Sequence, residues 1–122
     1  MIVRPRRSVL YMPGSNARAI EKARSLPVDA IILDLEDSVA PEGKPGARAQ
    51  VSDAVAARVF GPREVVVRIN GLDTQWWLDD LNAVAKAKPD AVLVPIRMNR
   101  MSANAFCMPA SLPAQLQRRG GL

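Results

Sequence analysis

Apolar residues along this chain fall into short continuous runs, and the stretches between the runs carry apolar residues at helical spacing. A continuous aliphatic run is typical of a strand that is covered on both faces, whereas a repeat of three to four residues is typical of an amphipathic helix. Four strands are predicted, which end near Tyr11, Leu35, Asn70 and Pro95. Three helices are predicted between them, over 17–25, 47–59 and 75–87.

The alternation of strands and helices predicts an α/β fold. Units of about 30 residues imply parallel strands that are joined by right-handed crossovers. Two architectures fit this pattern: an open doubly wound sheet, and part of an eight-fold (β/α) barrel, of which four strands make half. In both architectures the functional residues lie at the carboxyl ends of the strands.

Composition narrows the class of protein. The chain is 48% hydrophobic and 24% charged, which is typical of a globular protein, and no apolar run approaches the ~20 residues that cross a bilayer. The absence of histidine excludes His-based catalytic triads and His-ligated zinc. A single cysteine, Cys107, fits a reducing compartment, so we expect a cytoplasmic protein with no membrane partner.

The chain changes character at Ile96. Residues 96–122 contain four arginines and no acidic residue, whereas the first 95 residues carry 13 basic and 12 acidic groups. This division predicts a folded part over 1–95 and an irregular basic tail over 96–122, with room for a short helix over 113–117. Arginines without interleaved aromatic residues argue against nucleic acid as a partner.

Charged residues end two of the predicted strands. Arg68 closes an apolar strand, and a buried guanidinium needs a partner. The partner is either a carboxylate of Glu36 or Asp37, in a salt bridge, or a substrate oxygen that gains charge in a transition state. The acids Asp34, Glu36 and Asp37 predict either a Mg²⁺ site built from oxygen ligands or a solvated acidic turn.

The turn over residues 13–16 stands between the first strand and the first helix. Its backbone amides, together with the charges of Arg18 and Lys22, could bind a phosphate group at the start of the helix. Alternatively, the turn only caps the helix, through the side chain of Ser15 or Asn16.

Four segments of the chain carry a family resemblance. They resemble, in order and spacing, the citrate lyase beta-subunit-like CoA ester lyases of the HpcH/HpaI aldolase superfamily, and they are Arg7–Asn16, Glu21–Ala23, Leu33–Pro41 and Val67–Thr74. The resemblance runs from about Arg4 to Pro95. It implies a TIM barrel, of which this chain holds about the first four βα units. It also implies a Mg²⁺-dependent carbon–carbon lyase that acts on thioesters such as citryl-, malyl- or citramalyl-CoA.

The resemblance further implies roles for individual residues. Arg68 would polarise the keto-acid oxygen and steady an enolate, and Glu36 and Asp37 would lie near the metal and its waters. Tyr11 and Lys22 would lie near the entrance for CoA or substrate. The full predicted substrate-binding set is Tyr11, Pro13, Gly14, Asn16, Arg18, Lys22 and Asn70.

Beyond Pro95 the resemblance ends, because the family has Pro-Lys where this chain has Pro95–Ile96. Relatives take their direct metal ligands from later strands, and no acidic residue follows Asp90 here. We therefore expect an incomplete lyase that is weakly active or inactive, such as a frameshifted or truncated gene product would give. The alternative is a non-catalytic fragment that binds a full-length homologue.

The first and fourth strands are expected to be open edges of the sheet. Unpaired edge strands and an uncovered apolar face favour association. We therefore expect a marginally stable chain that forms a homo-oligomer or associates with a homologue. The expected small-molecule partner is a thioester carried either by CoA or by an acyl carrier protein.

Overall fold

The computed structural model describes residues 7–98 and 102–109 of the chain. The strands are β1 Val9–Pro13, β2 Ala30–Asp34, β3 Glu64–Arg68, β4 Ala91–Met98 and β5 Ser102–Pro109. The helices are α1 Ala17–Ala23, α2 Lys44–Ala56 and α3 Trp77–Ala87, with one 3₁₀ turn at Pro41–Gly43. The predicted alternation of four strands and three helices is confirmed. Within these described ranges, none of the helices has the length and apolar character needed to span a bilayer.

The order of the strands decides between the two predicted architectures. The sheet runs β1-β2-β3-β4-β5, and β1 to β4 are parallel. Residues of all three helices pack with one face of the sheet, on which Met12, Leu33, Val67 and Val92 are register partners. A doubly wound sheet reverses its strand order and carries helices on both faces. Sequential strands with helices on one side are the arrangement of half a (β/α) barrel.

The opposite face of the sheet, here called the inner face, is less covered. Its register partners include Tyr11, Ile32, Val66 and Ala91. Val66 and Ala91 are buried, whereas Tyr11 is 51% exposed and Val9 is 49% exposed. The inner face is therefore most open at β1, which is an edge of the sheet in the described part of the chain.

Helix α2 begins earlier than its apolar spacing predicted. It starts at Lys44, with Pro45 in its first turn, where a proline is tolerated because the amide it lacks would have no partner inside the helix. The prediction had this helix begin at residue 47. The earlier start places the side chain of Lys44 inside the protein, where it is 6% exposed.

The prediction of an irregular tail is wrong for residues 102–109. These residues form β5, which pairs antiparallel with β4 along its whole length, from Ala91 opposite Pro109 to Met98 opposite Ser102. The fourth strand therefore continues past its predicted end at Pro95, and it is not an open edge. Backbone groups drive this pairing, since an unpaired strand edge gains hydrogen bonds from any extended neighbour. The suggested helix over 113–117 lies outside the described residues.

Candidate active site

Arg68 and Asp34 form the central ion pair of the site. They are the last residues of β3 and β2 and are register partners. Arg68 Nε donates to Asp34 Oδ1 and Arg68 Nη2 to Asp34 Oδ2, both at 2.8 Å. The predicted salt bridge to Glu36 or Asp37 is therefore wrong. Paired parallel strands of equal length bring their last residues together on one face, whereas Glu36 and Asp37 lie beyond the end of β2.

The carboxylate of Asp34 also organises the turn that follows β2. It accepts hydrogen bonds from the backbone N–H of Glu36 at 2.9 Å and from the N–H and hydroxyl of Ser38 at 3.1 and 2.7 Å. Burial alone would raise the pKa of Asp34, but the bonds from Arg68, Ser38 and Glu36 outweigh it and lower the pKa from 3.8 to about 2. Asp34 is therefore ionised at physiological pH and holds Arg68 in one orientation.

Arg68 faces a cleft of about 360 Å³ on the inner face, here called the inner cleft. Its walls are Tyr11, Met12, Pro13, Asp34, Asp37, Ser38 and Arg68. The guanidinium carbon lies 5.2 Å from the centroid of the Tyr11 ring, which is within the range of a cation–π contact. Asp34 occupies Nε and Nη2, and Nη1 makes no hydrogen bond to the described residues. The inner cleft thus offers a fixed positive charge beside an exposed aromatic ring.

Glu36 and Asp37 form a pair of neighbouring carboxyl groups, of which Asp37 lines the inner cleft and Glu36 lines a second cleft described below. Burial and the neighbouring carboxyl group of Asp37 together raise the pKa of Glu36 from 4.5 to about 7, against the opposing charge of Arg68. Glu36 therefore exchanges a proton near neutral pH, as a general acid or base must. The environment of Glu36 thus suits it to proton transfer.

The pKa of Glu36 predicts a pH-dependent stability. Because the folded-state pKa of about 7 exceeds the ordinary 4.5, the folded chain holds the proton more tightly than the unfolded chain does. The contribution of Glu36 is fully present below pH 4.5 and is lost as the pH rises through 7. The melting temperature of Glu36→Gln should therefore exceed that of the wild type by a margin that grows as the pH rises between those values. The melting temperature of Glu42→Gln, at an exposed position, should stay equal to that of the wild type throughout. A constant difference between Glu36→Gln and wild type would contradict the pKa assignment.

The residues described here fit Mg²⁺ only in part. Carboxylate oxygens are ligands that Mg²⁺ prefers, and Glu36 and Asp37 could hold its waters. In the described ranges, however, no three Asp, Glu or Cys side chains cluster closely enough to bind a metal ion directly. A role for Glu36 and Asp37 near a metal ion and its waters therefore stays a prediction.

Hydrogen bonds join three charged side chains and one amide side chain behind the Glu36–Asp37 turn. This set is here called the Lys44 network and consists of Lys44, Asn70, Asp80 and Arg48. Lys44 Nζ donates to Asn70 Oδ1 at 2.7 Å, and the amide group of Asn70 donates to Asp80 Oδ2. Arg48 Nε donates to Asp80 Oδ1 at 2.8 Å. Burial lowers the pKa of Lys44 more than the charge of Asp80 raises it. Asn70, a predicted substrate-binding residue, is 1% exposed and is used inside this network.

Lys44 and Asn70 also line a second cleft, of about 230 Å³, between the Glu36–Asp37 turn and the loop that follows β3. The ring of Trp76 lies in its wall, with its centroid 5.0 Å from Lys44 Nζ. Asp37 lines both clefts, so the two meet at this residue.

The glycine turn after β1 serves packing and helix capping. Gly14 N donates to Asp34 O at 2.8 Å, and Gly14 O accepts from Gln50 Nε2 at 2.8 Å. Asn16 caps α1 by accepting from Ala19 N at 3.0 Å, which is one of the two predicted caps. Both backbone polar groups of Gly14 are thus satisfied within the chain.

Of the predicted substrate-binding residues, only Tyr11 and Pro13 line the inner cleft beside Arg68 and Asp37. Arg18 and Lys22 are exposed on α1 and line neither cleft, and Asn16 lines neither. A phosphate-binding role for the glycine turn and for these two basic residues therefore stays a prediction.

Gly14 leaves no room for a larger residue. A Cβ atom at this position would lie 2.7 Å from the backbone oxygen of Asp34 and 2.8 Å from a methyl carbon of Val51. We expect Gly14→Ala to lower the free energy of unfolding by about 2 kcal/mol, since overpacking against backbone forces a shift of the strand end. Gly46→Ala is the matched control, because nothing lies within 4 Å of that Cβ in helix α2 and alanine favours helix. Equal stability of the two variants, measured by urea denaturation, would contradict this packing.

Sequence reasoning missed the roles of Asp34, Lys44 and Asp80. A signal existed for Asp34, because it stands at the same position relative to its strand as Arg68 does in the next one. For Lys44 and Asp80 no periodic signal existed: a lysine beside a proline and an acid in the first turn of a helix are both common on surfaces.

Comparison with known families agrees with this geometry. The sequence pattern of the HpcH/HpaI aldolase/citrate lyase family matches residues 7–107. The chain belongs to this family. The match reaches into β5, beyond the residues on which the sequence resemblance was based.

Similar proteins are enzymes that act on CoA esters or belong to citrate lyase. A (3S)-malyl-CoA thioesterase of Cereibacter sphaeroides (strain KD131) is 53% identical over 91 residues, which are 75% of this chain and 32% of that protein. The citrate lyase subunit beta of Escherichia coli (strain K12) is 41% identical over 92 residues, covering 75% and 30% of the two chains. This chain therefore spans about a third of the length of the curated relatives it matches.

A solved structure supports the same assignment. The citrate lyase beta subunit of Mycobacterium tuberculosis, complexed with oxaloacetate and magnesium, superposes with a TM-score of 0.61 at 34% identity. The superposition covers 74% of this chain and 40% of that chain. The family is thus shown by sequence and fold together, and its solved members include one that is complexed with magnesium.

Proposed function

We propose that this chain carries the keto-acid side of the active site of a Mg²⁺-dependent carbon–carbon lyase for acyl-thioesters of the malyl-CoA type. The observation that carries the proposal is the bidentate Arg68–Asp34 pair, which shares the inner cleft with Asp37 at the carboxyl ends of the strands and lies within electrostatic reach of Glu36. The similarity to a malyl-CoA thioesterase and to a citrate lyase subunit that binds oxaloacetate and magnesium supports the substrate class.

Arg68 would act on the oxygen that gains charge. When the carbon–carbon bond of a 3-hydroxyacyl thioester breaks, the hydroxyl group loses its proton and becomes a carbonyl, and the bonding electrons form the thioester enolate. A preorganised guanidinium stabilises such developing charge, because no reorientation is needed during the reaction. Asp34 keeps Arg68 ionised and oriented, which makes Asp34 a positioning residue.

Glu36 would move the proton. Its pKa of about 7 lets it accept a proton from a hydroxyl group and return one to an enolate carbon at physiological pH. Bound Mg²⁺ would neutralise negative charge on substrate oxygens, with Glu36 and Asp37 placed to contact its waters. Because no acidic residue follows Asp90 in the sequence, we propose that the chain by itself is weakly active or inactive.

A second candidate function is that of a non-catalytic fragment that associates with another copy or with a longer homologue. The half-exposed Val9 and Tyr11 on the open inner face favour it, since such apolar surface gains from being covered. Co-expression with a tagged full-length homologue tests this candidate, because stable co-purification is expected only if the fragment has a binding surface. The thioester carrier, CoA or acyl carrier protein, and a cytoplasmic location stay predictions from the sequence.

Binding of a keto acid tests the leading proposal without requiring turnover. Isothermal titration of the chain with oxaloacetate should show binding that tightens when Mg²⁺ is present. Arg68→Met should weaken it by at least roughly tenfold, because a charge-assisted bidentate contact is lost. Arg24→Met, at an exposed arginine that pairs with Glu21, is the control and should leave the affinity unchanged. Equal affinities of wild type and Arg68→Met would refute the proposed role of Arg68.

A further inference from the structure

A buried lysine lies directly behind the Glu36–Asp37 turn. Lys44 Nζ donates to Leu35 O at 3.0 Å and to Glu36 O at 2.9 Å. These two carbonyls belong to the peptide groups that flank Glu36, so the ammonium group fixes the orientation of both peptide planes. The positions of the Glu36 and Asp37 side chains follow from that orientation.

The third hydrogen bond of the ammonium group joins this turn to the end of β3. Asn70 Oδ1 accepts it at 2.7 Å, and Asn70 is held in turn because its backbone N–H donates to Asp80 Oδ2 at 3.1 Å. Asp80 is fully buried and is paired with Arg48. Each member of the Lys44 network is thus fixed by the next, from helix α3 through β3 to the turn after β2.

We propose that Lys44 is a positioning residue, which holds the Glu36–Asp37 turn against the end of β3 so that both carboxyl groups stay beside Arg68. This inference deepens the proposed function and rests on it. Lys44 uses three donors on three protein oxygens, which saturates an ammonium group, so it has no proton left for a substrate oxygen. Its role is therefore to orient the backbone that carries the reacting groups.

Amide hydrogen exchange tests this role without any ligand. The variant Lys44→Met has a side chain of similar length without donors, and Lys86→Met, at an exposed lysine of α3, is the control. In Lys44→Met the amides of Glu36, Ser38 and Val39 should exchange roughly tenfold faster, whereas the amides of β2 and β3 should keep their wild-type rates. Lys44→Arg, which keeps donors and charge, should restore part of the protection.

Two results would overturn the positioning role. The first is an unchanged exchange rate in the turn; the second is equal acceleration in turn and strands, which indicates a general loss of stability. If Lys44→Met does not fold, the same amides are measured in Lys44→Gln, whose shorter side chain keeps only two donors.

Titration with oxaloacetate separates this inference from the proposed function. In Lys44→Met the tightening caused by Mg²⁺ should fall by roughly tenfold, while the Mg²⁺-free affinity, which depends on Arg68, should change less than twofold. If the turn exchanges faster in Lys44→Met but Mg²⁺ still increases the oxaloacetate affinity as much as in the wild type, the positioning role of Lys44 is contradicted. Absence of oxaloacetate binding in the wild type would refute the proposed function instead, and the exchange rates would still decide whether Lys44 holds the turn.

Discussion

Replacing Asp34 by Asn is expected to lower the free energy of unfolding by about 3 kcal/mol at pH 7, because it leaves the guanidinium of Arg68 without its counter-charge in a largely buried place. The side chains of Asp34 and Arg68 are only 3% and 20% exposed. An asparagine offers one acceptor where the carboxylate serves Arg68, Ser38 and the Glu36 amide. In a domain with a few kcal/mol of stability, a loss of this size unfolds a large share of the molecules.

Two further measurements make the Asp34 prediction specific. Exposed Asp53→Asn should stay within about 0.5 kcal/mol of the wild type. The deficit of Asp34→Asn should also shrink as the pH falls from 3.8 through about 2, since the folded-state pKa is lowered and the stabilising charge disappears in that window. A deficit that does not depend on pH, or a double variant Asp34→Asn/Arg68→Met whose loss equals the sum of the single losses, would contradict the ion pair.

Replacing Asp80 by Ala is expected to lower the free energy of unfolding by about 3 kcal/mol or more, because it removes the buried acceptor of both Arg48 and Asn70. Asp80 has 0% exposure, so water cannot replace the lost bonds without opening the packing between α2, α3 and β3. Urea denaturation followed by far-UV circular dichroism measures the loss.

Asp79 supplies the matched control for this experiment. It precedes Asp80 in the first turn of α3 and is exposed. Asp79→Ala should cost only about 0.5 kcal/mol, from the weaker interaction with the helix dipole. The dipole of α3 favours an acidic residue at both positions. Equal losses for the two variants would therefore indicate only this interaction and would contradict the Lys44 network.

The fold was largely predictable because its strong signals are local. The aliphatic runs of β2 and β3 mark strands that are covered by neighbours, and Gly61 and Pro62 mark the break before β3. The choice between a barrel and a doubly wound sheet required the strand order, which no local pattern records. β5 was missed because residues 102–109 neither alternate nor form an aliphatic run, and its pairing depends on the available edge of β4.

The sequence predicted which residues of the site lie close together, but not which of them pair. Because parallel strands end at one edge of the sheet, Arg68, Asp37, Tyr11 and Pro13 were expected together, and they share one cleft. The partner of Arg68 was not predicted correctly, since side-chain pairing depends on strand register. Lys44 was hidden for a different reason: its burial follows from the early start of α2, and burial of an ammonium group is rare enough that no sequence pattern favours it.

A crystal structure of the chain with oxaloacetate and Mg²⁺ tests most directly whether Arg68, Glu36 and Asp37 converge on one binding cleft. We expect the keto acid in the inner cleft, within hydrogen-bond distance of an Arg68 guanidinium that remains paired with Asp34, and the carboxyl groups of Glu36 and Asp37 turned towards the ligand. Oxaloacetate bound elsewhere, or Arg68 separated from Asp34 and directed away from the Glu36–Asp37 turn, would contradict the assignment.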